Sequence, residues 1–138
     1  MKWNKSTRFA LYAALEMARQ SPGLVTIPAV SAKYGISAHH LAKVMPQLVR
    51  AGIAEAVRGV GGGYRLARSA KDIVLLDIVE VFEGPVTLER CLLDNASKPC
   101  GRVEICRLKQ VFDEIEQAAY YTLKTIRLAT LLGPGVPS

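Results

Sequence analysis

Cys91, Cys100 and Cys106 are the three cysteines of the chain, and all fall within sixteen residues in the spacing C-x8-C-x5-C. Free cysteines often do no more than pack, but thiols scattered through a core would rarely cluster in this way. A structural zinc site wants four ligands, commonly as paired CxxC knuckles, and neither is present. Three thiolates fit an iron–sulfur cluster better. An iron left open by three protein thiolates suits a 4Fe–4S cluster more than a 2Fe–2S cluster. The intervening segments LLDNASKP and GRVEI carry Asn, Ser, Pro and Gly and read as loop. Cys106 then opens a long helix. The dipole of that helix, with Arg90, Lys98, Arg102 and Arg107, would stabilise thiolates and an anionic cluster.

Such a loop needs a scaffold. A chain of 138 residues, half of them apolar, suffices for one domain with a real core but not for two ordinary ones. No apolar run approaches the roughly 18–20 residues of a membrane-spanning helix. The apolar stretch near the start is closed by Glu16 and Arg19, with no small-residue cleavage site after it, and reads as an amphipathic helix rather than a signal peptide. The expected compartment is the cytoplasm, where thiols stay reduced and a structural disulfide is not expected.

Phe9, Leu11, Tyr12, Leu15 and Met17 fall mostly on one stripe and predict a helix over 6–20, ended by Ser21-Pro22-Gly23. Thr26 is an N-cap for a second helix running to Tyr34, with Pro28 in its first turn. Gly35 supplies a tight turn. Ser37 caps a third helix that reaches about Ala51 and stops at Gly52. Two short helices joined around a central Gly form a helix-turn-helix. In the third helix Leu41, Val44, Leu48 and Val49 make a core-docking face. The opposite face carries His39, His40, Lys43, Gln47 and Arg50, donor-rich side chains suited to base edges. Pro46 removes one helical hydrogen bond, so a bend or tightening is expected there.

Residues 53–58, the glycine run Gly59-Val60-Gly61-Gly62-Gly63 and residues 64–68 read as strand, turn, strand. This is not a phosphate loop, which needs Gly-Lys-Ser/Thr, nor a dinucleotide fingerprint, which needs a helix after the glycines. A hairpin flanked by Arg58, Arg65 and Arg68 directly after a helix-turn-helix is a wing, whose arginines can reach phosphates or a narrow minor groove. The charge agrees. Residues 1–70 carry ten Lys/Arg and two acids, whereas residues 71–138 carry eight and ten. A partner rich in phosphate explains a polycationic first half, through counterion release.

The stretch ISAHHLAKVMPQLVRAGIAEAVRGVGGGYRLAR, residues 36–68, resembles the IscR, NsrR and RirA regulators of the Rrf-two superfamily. The resemblance runs from Met1 to about residue 130, and the VRGxGGGYxL segment is its most distinctive part. It implies a winged-helix homodimer that represses or activates promoters, with Arg58 and Gly59 entering the minor groove. It also implies that Cys91, Cys100 and Cys106 are cluster ligands. Ala42 stands where IscR-like members carry a Glu that discriminates between operators, so the IscR operator does not carry over. Arg8 and Lys109 stand where relatives place an acidic or His fourth ligand. Glu104, Asp94 or a small exogenous ligand remain open for that role.

The expected fold is mainly α: a winged helix-turn-helix with a two-stranded wing and a long C-terminal dimerisation helix. Residues 1–83 would form the DNA-binding domain, 84–106 the cysteine loop, 107–132 the dimerisation helix and C-terminal helix, and 133–138 a flexible tail. Within this plan Ile73–Phe82 is a short connecting helix. Leu108, Phe112, Ile115 and Ala119 form a seam suited to a helix–helix interface, or else cover the core. The DNA-contacting set is Ser37, His39, His40, Lys43, Gln47, Arg58, Gly59 and Arg65. The partner is a double-stranded, palindromic operator, because a two-fold operator matches a two-fold protein. The function expected is a DNA-binding transcriptional regulator, a repressor before an activator, switched by a cluster that senses iron, nitric oxide, oxygen or redox state. The alternative is a cluster-free winged-helix regulator responding to thiol oxidation or to a partner protein. An enzyme is not expected: there is no supported Ser/His/Asp set and no nucleotide loop, and the two histidines are adjacent on the third helix.

Overall fold

The structure, a computed structural model, describes residues 3–84 and 103–133. Cys91, Cys100 and the expected tail after Gly133 lie outside the described residues. In chain order the elements are α1 (Lys5–Gln20), α2 (Ile27–Tyr34), α3 (Ala38–Arg50), β1 (Ala54–Val57), β2 (Gly63–Leu66), α4 (Leu75–Glu83), α5 (Val103–Thr125) and α6 (Leu128–Leu131). This is the mainly helical, winged architecture that the sequence predicts.

The first three helices begin where a polar side chain satisfies an orphan backbone donor. Asn4 accepts from the Thr7 N–H, Thr26 from Ala29 and Ser37 from His40. Gly35, at φ 65°, turns the chain out of α2 and sets up the short step into α3. Pro46 lies inside α3, yet the helix is continuous to Arg50. The Gln47 side-chain amide turns back onto the Lys43 carbonyl at 3.1 Å, next to the turn where proline withholds its donor.

α1 is the central element. Its buried face is Ala10, Ala13, Ala14, Met17 and Ala18, and α2, α3, α4, α6 and β2 all pack on it. The stripe of large residues that predicted this helix lies along the edge of that face, with Met17 fully buried. Phe9, Leu11 and Leu15 are only partly buried, and Tyr12 is exposed. Alanine side chains let several helices approach one axis closely, and larger side chains on the same face would hold them apart. From α3, Leu41, Val44 and Leu48 enter the core as expected, together with Met45, which the helical pattern had not singled out.

Among the described residues one charged side chain is buried in this core. The Glu16 side chain is 5 % exposed and meets Lys33 Nζ at 2.7 Å, while Tyr34 Oη donates to it at 3.1 Å. Burial opposes ionisation of Glu16, but the hydrogen bonds from Lys33, Gln20 and Tyr34 outweigh it and hold the carboxyl below its ordinary pKa. Burial and the Glu16 charge push the Tyr34 hydroxyl up. The pair fastens α2 to α1 behind the helix-turn-helix.

α5 is tied to its own chain at its C-terminal end. Leu123 packs with Leu76 and Val79, beside Trp3 and Tyr120, and the Leu128 N–H donates to the Ile73 carbonyl at 2.9 Å. Leu108, Val111, Phe112 and Ile115, farther toward its start, are all about half exposed. Leu108, Phe112 and Ile115 of the predicted seam are therefore not buried against the described core, while Ala119 is partly buried.

Because the folded-state pKa of Glu16 is depressed, its contribution is present above the ordinary glutamate value of about 4.3 and is lost as pH falls through the lowered value. Glu16→Gln should lower stability at pH 7 by about 1–2 kcal/mol, a figure discounted because Lys33 is partly solvated. Thermal denaturation followed by circular dichroism should also show a shallower loss of stability below pH ~4.3 in the variant. An unchanged acid profile would contradict this role.

Candidate nucleic-acid interface

The wing is an antiparallel hairpin in the register Ala54↔Leu66, Glu55↔Arg65, Ala56↔Tyr64 and Val57↔Gly63. It is held to the helix-turn-helix by a backbone bridge together with the packing of Tyr64 and Leu66 on the core. Val25 N–H donates to the Tyr64 carbonyl at 2.8 Å, and Tyr64 N–H returns to Val25 at 2.7 Å. The sequence reading missed this bridge, because one residue before an N-cap carries no strand signal. It does explain Gly63, while Gly62 is constrained within the hairpin itself. A Cβ on Gly63 would lie 2.5 Å from the Val25 carbonyl oxygen, and one on Gly62 would lie 2.2 Å from that of Val57. Neither position has room for a side chain, and both obstacles are backbone.

α3 presents Ser37, His39, Ala42, Lys43 and Arg50 to solvent, and the wing presents Arg58 and Gly59 beside a fully exposed Val60. A groove of about 470 Å³ separates the two elements, with Arg50 on one wall and Arg58 on the other. Ser37 serves first as the α3 cap, and Gln47 is turned back along its own helix. Two other residues of the predicted set are engaged elsewhere in the protein. Arg65 forms a cross-strand ion pair with Glu55, which offsets its charge locally. His40 points back to α1, with Nε2 2.8 Å from Ser6 Oγ and its ring edge-on to Phe9 at 4.8 Å. Arg58 has no acidic neighbour within ion-pair distance among the described residues.

Of the cysteines, the structure describes Cys106. It is exposed on α5, which starts at Val103, so this thiol stands on the helix, one turn in, rather than ahead of it. Arg107 follows it directly. Lys109 pairs with Asp113 one turn along, at 2.5 Å, which gives the ammonium a structural partner. Arg8 is exposed on α1. The structure thus separates two surfaces: a basic helix-plus-wing face, and the projecting end of α5.

A recognition helix and a wing fixed to one core, both bearing uncompensated cations, define a winged-helix DNA-binding protein. A family model described as "Rrf2: Iron-dependent Transcriptional regulator" matches residues 3–134, and the chain belongs to that family. It is a DNA-binding transcriptional regulator and not an enzyme. It is 39 % identical over 133 residues to the HTH-type transcriptional regulator BadM of Rhodopseudomonas palustris, covering 96 % of this chain and 81 % of that one. It is 29 % identical to an rrf2-like HTH-type regulator of Rhodobacter capsulatus, covering 95 % and 92 %. Among solved structures it is similar to CymR, the global cysteine regulator of B. subtilis, with TM-score 0.81, 24 % identity and 95 % of each chain covered. It is also similar to T. potens IscR, with TM-score 0.71, 28 % identity, and 96 % and 86 % covered.

The backbone bridge makes a prediction. Gly63→Ala must push β2 away from Val25, at a cost of about 1–3 kcal/mol. Its melting temperature should fall by several degrees, and amide exchange should accelerate at Val25 and Tyr64 in particular. Unchanged protection at those two amides would show that the bridge does not hold the wing.

Proposed function

We propose that the chain acts as a homodimer on a palindromic double-stranded operator, as a repressor, with an affinity that depends on an iron–sulfur cluster held by Cys91, Cys100 and Cys106. The observation that carries this reading is the shared helix. Cys106 stands exposed near the start of α5, and the apolar stripe Leu108, Val111, Phe112 and Ile115 follows on the same projecting segment. A second copy would cover that stripe, and chemistry at Cys106 would then lie beside the subunit contact. Cys106, the one described member of the proposed donor set, is an exposed thiol followed directly by Arg107, a cation beside the place an anionic cluster would take. The description of the family as iron-dependent supports the same choice. When bound, a 4Fe–4S cluster would supply reactivity toward iron depletion, nitric oxide or oxidants.

The protein's own groups do the DNA work. His39 and Lys43 face the major groove from α3, Arg58-Gly59 enters the minor groove, and Arg50 and Arg58 bracket the backbone between them. The Gly59 backbone, at φ 105°, lets the turn carry Arg58 at the wing's edge. No helix among the described residues is long and apolar enough to cross a membrane, and we place the regulator in the cytoplasm. A second reading, a cluster-free regulator that responds to thiol oxidation, draws on the exposure of Cys106.

The test is anaerobic iron–sulfur reconstitution followed by binding to a duplex that the protein selects from a randomised library. A coloured holoprotein whose affinity differs at least about tenfold from the apoprotein at fixed salt is the expected result, lost in Cys106→Ser. Equal affinities would sink the switch, and a colourless protein whose binding responds to peroxide would favour the second reading.

On the same duplex, Arg58→Ala should weaken binding at least about tenfold. If its contact is to phosphate, the salt slope should also fall by about one. Arg65→Ala should cost less, because Glu55 already offsets that charge.

A further inference from the structure

The polar contacts around the start of α1 form a chain that runs from the end of α4 to the recognition helix. Glu83 is the last residue of α4. Its Oε1 accepts from the Asn4 backbone N–H at 2.8 Å and from the Thr7 hydroxyl at 2.6 Å. Asn4 is the α1 N-cap, and its side-chain oxygen accepts from the Thr7 N–H at 2.9 Å. Its side-chain amide also reaches the Phe82 carbonyl at 3.4 Å. The first turn of α1 is therefore fixed by the last turn of α4. From within that same turn, Ser6 Oγ lies 2.8 Å from His40 Nε2, and Phe9 packs edge-on against the imidazole. His40 is in the first turn of α3, the part of a recognition helix that meets base edges.

We infer that Ser6 and Glu83 are positioning residues for DNA recognition, acting through His40, and that His40 sets the pose of α3 rather than reading a base. The geometry favours this over a surface histidine available to DNA, because Nε2 and one ring edge are already committed to α1. The chain also has a direction. Gly84, immediately after Glu83, leaves α4 at φ 80° and begins the stretch that leads to Cys91. The polar contacts give the end of α4 a route to α3 through Glu83, the α1 cap and Ser6, beside the direct packing of α4 on α1 and α3. The inference rests on α3 being the groove-entering helix, and the experiment separates the two.

The experiment has one arm without DNA and one with it. In the free protein, Glu83→Ala should shift the His40 ring resonances by NMR, although it leaves His40 and Ser6 in place. Unchanged His40 resonances would overturn the chain of contacts whatever the protein binds. On the duplex selected by the wild-type protein, Ser6→Ala should weaken binding roughly fivefold, as expected for one hydrogen bond. Its melting temperature should be unchanged, since alanine is a good helix former at that position. Ser6→Thr, which keeps the hydroxyl, should restore binding. In a His40→Ala background, Ser6→Ala should have no further effect, and an undiminished effect would mean that Ser6 touches DNA itself. Across single-base-pair variants of the duplex, His40→Ala should weaken all sites about equally. Relaxed preference at one position would make His40 a base reader and overturn the inference.

Discussion

Because α1 turns alanines inward at 10, 13, 14 and 18, α2, α3, α4, α6 and β2 can all pack against a single helix. Close approach to that face is the constraint on which the remaining geometry depends. It lets Met17, Leu41, Leu48, Ile73, Ile78 and Leu128 reach full burial around one short axis. A methyl added to this face would have to displace an element rather than a side chain, since cores are packed to crystal-like density. The polar ties lie at the two ends of the same helix. Glu16 with Lys33 and Tyr34 secures its later turns to α2, and Asn4 and Thr7 secure its first turn to α4. The DNA-facing elements inherit their placement from α1 without any contact between their functional side chains.

The wing is controlled by a different force. Its strands are four residues each, too short to be stable as an isolated hairpin. What steadies it is the pair of backbone bonds to Val25 and the packing of Tyr64 and Leu66 on the core. Val25 sits one residue before the Thr26 cap of α2. The wing is thus registered against the helix-turn-helix itself, across the groove lined by Arg50 and Arg58. Glycine at 63 is the consequence of that closeness, and glycine at 62 of the tight turn within the hairpin.

Local rules made much of this legible. Thr26, Gly35, Ser37 and Gly52 mark helix ends through capping and φ preference, and each stands where the sequence reading put it. The hairpin followed from strand-forming runs around glycine. The alanine face of α1 was not singled out because a search for large apolar residues passes over alanine, whose burial reports how near other elements come. The Val25 bridge and the Ser6–His40 bond were invisible for a related reason. Each joins positions 34 or more residues apart that share no motif, so only tertiary packing brings them together. His40 shows what this does to a site assignment: adjacent histidines on one helix look equivalent in sequence, yet one faces solvent and the other faces α1.

α5 poses the opposite problem to α1. At 23 residues it is about 34 Å long, and its well-buried apolar contact is Leu123, near its end. Leu108, Val111, Phe112 and Ile115 are spaced so that they share one face, and each is about half exposed. An isolated helix gains little from propensity, and most helical stability comes from covering an apolar face. In the proposed dimer a second copy of α5 provides that cover, and the stripe becomes the element that sets the separation of the two recognition helices. Cys106 lies two residues before Leu108, so a change at the thiol occurs within a turn of the contact that fixes that separation. Among the described residues the longest helix is packed at its C-terminal end, while single hydrogen bonds at Asn4, Ser6 and Val25 tie together α1, α4, α3 and the wing.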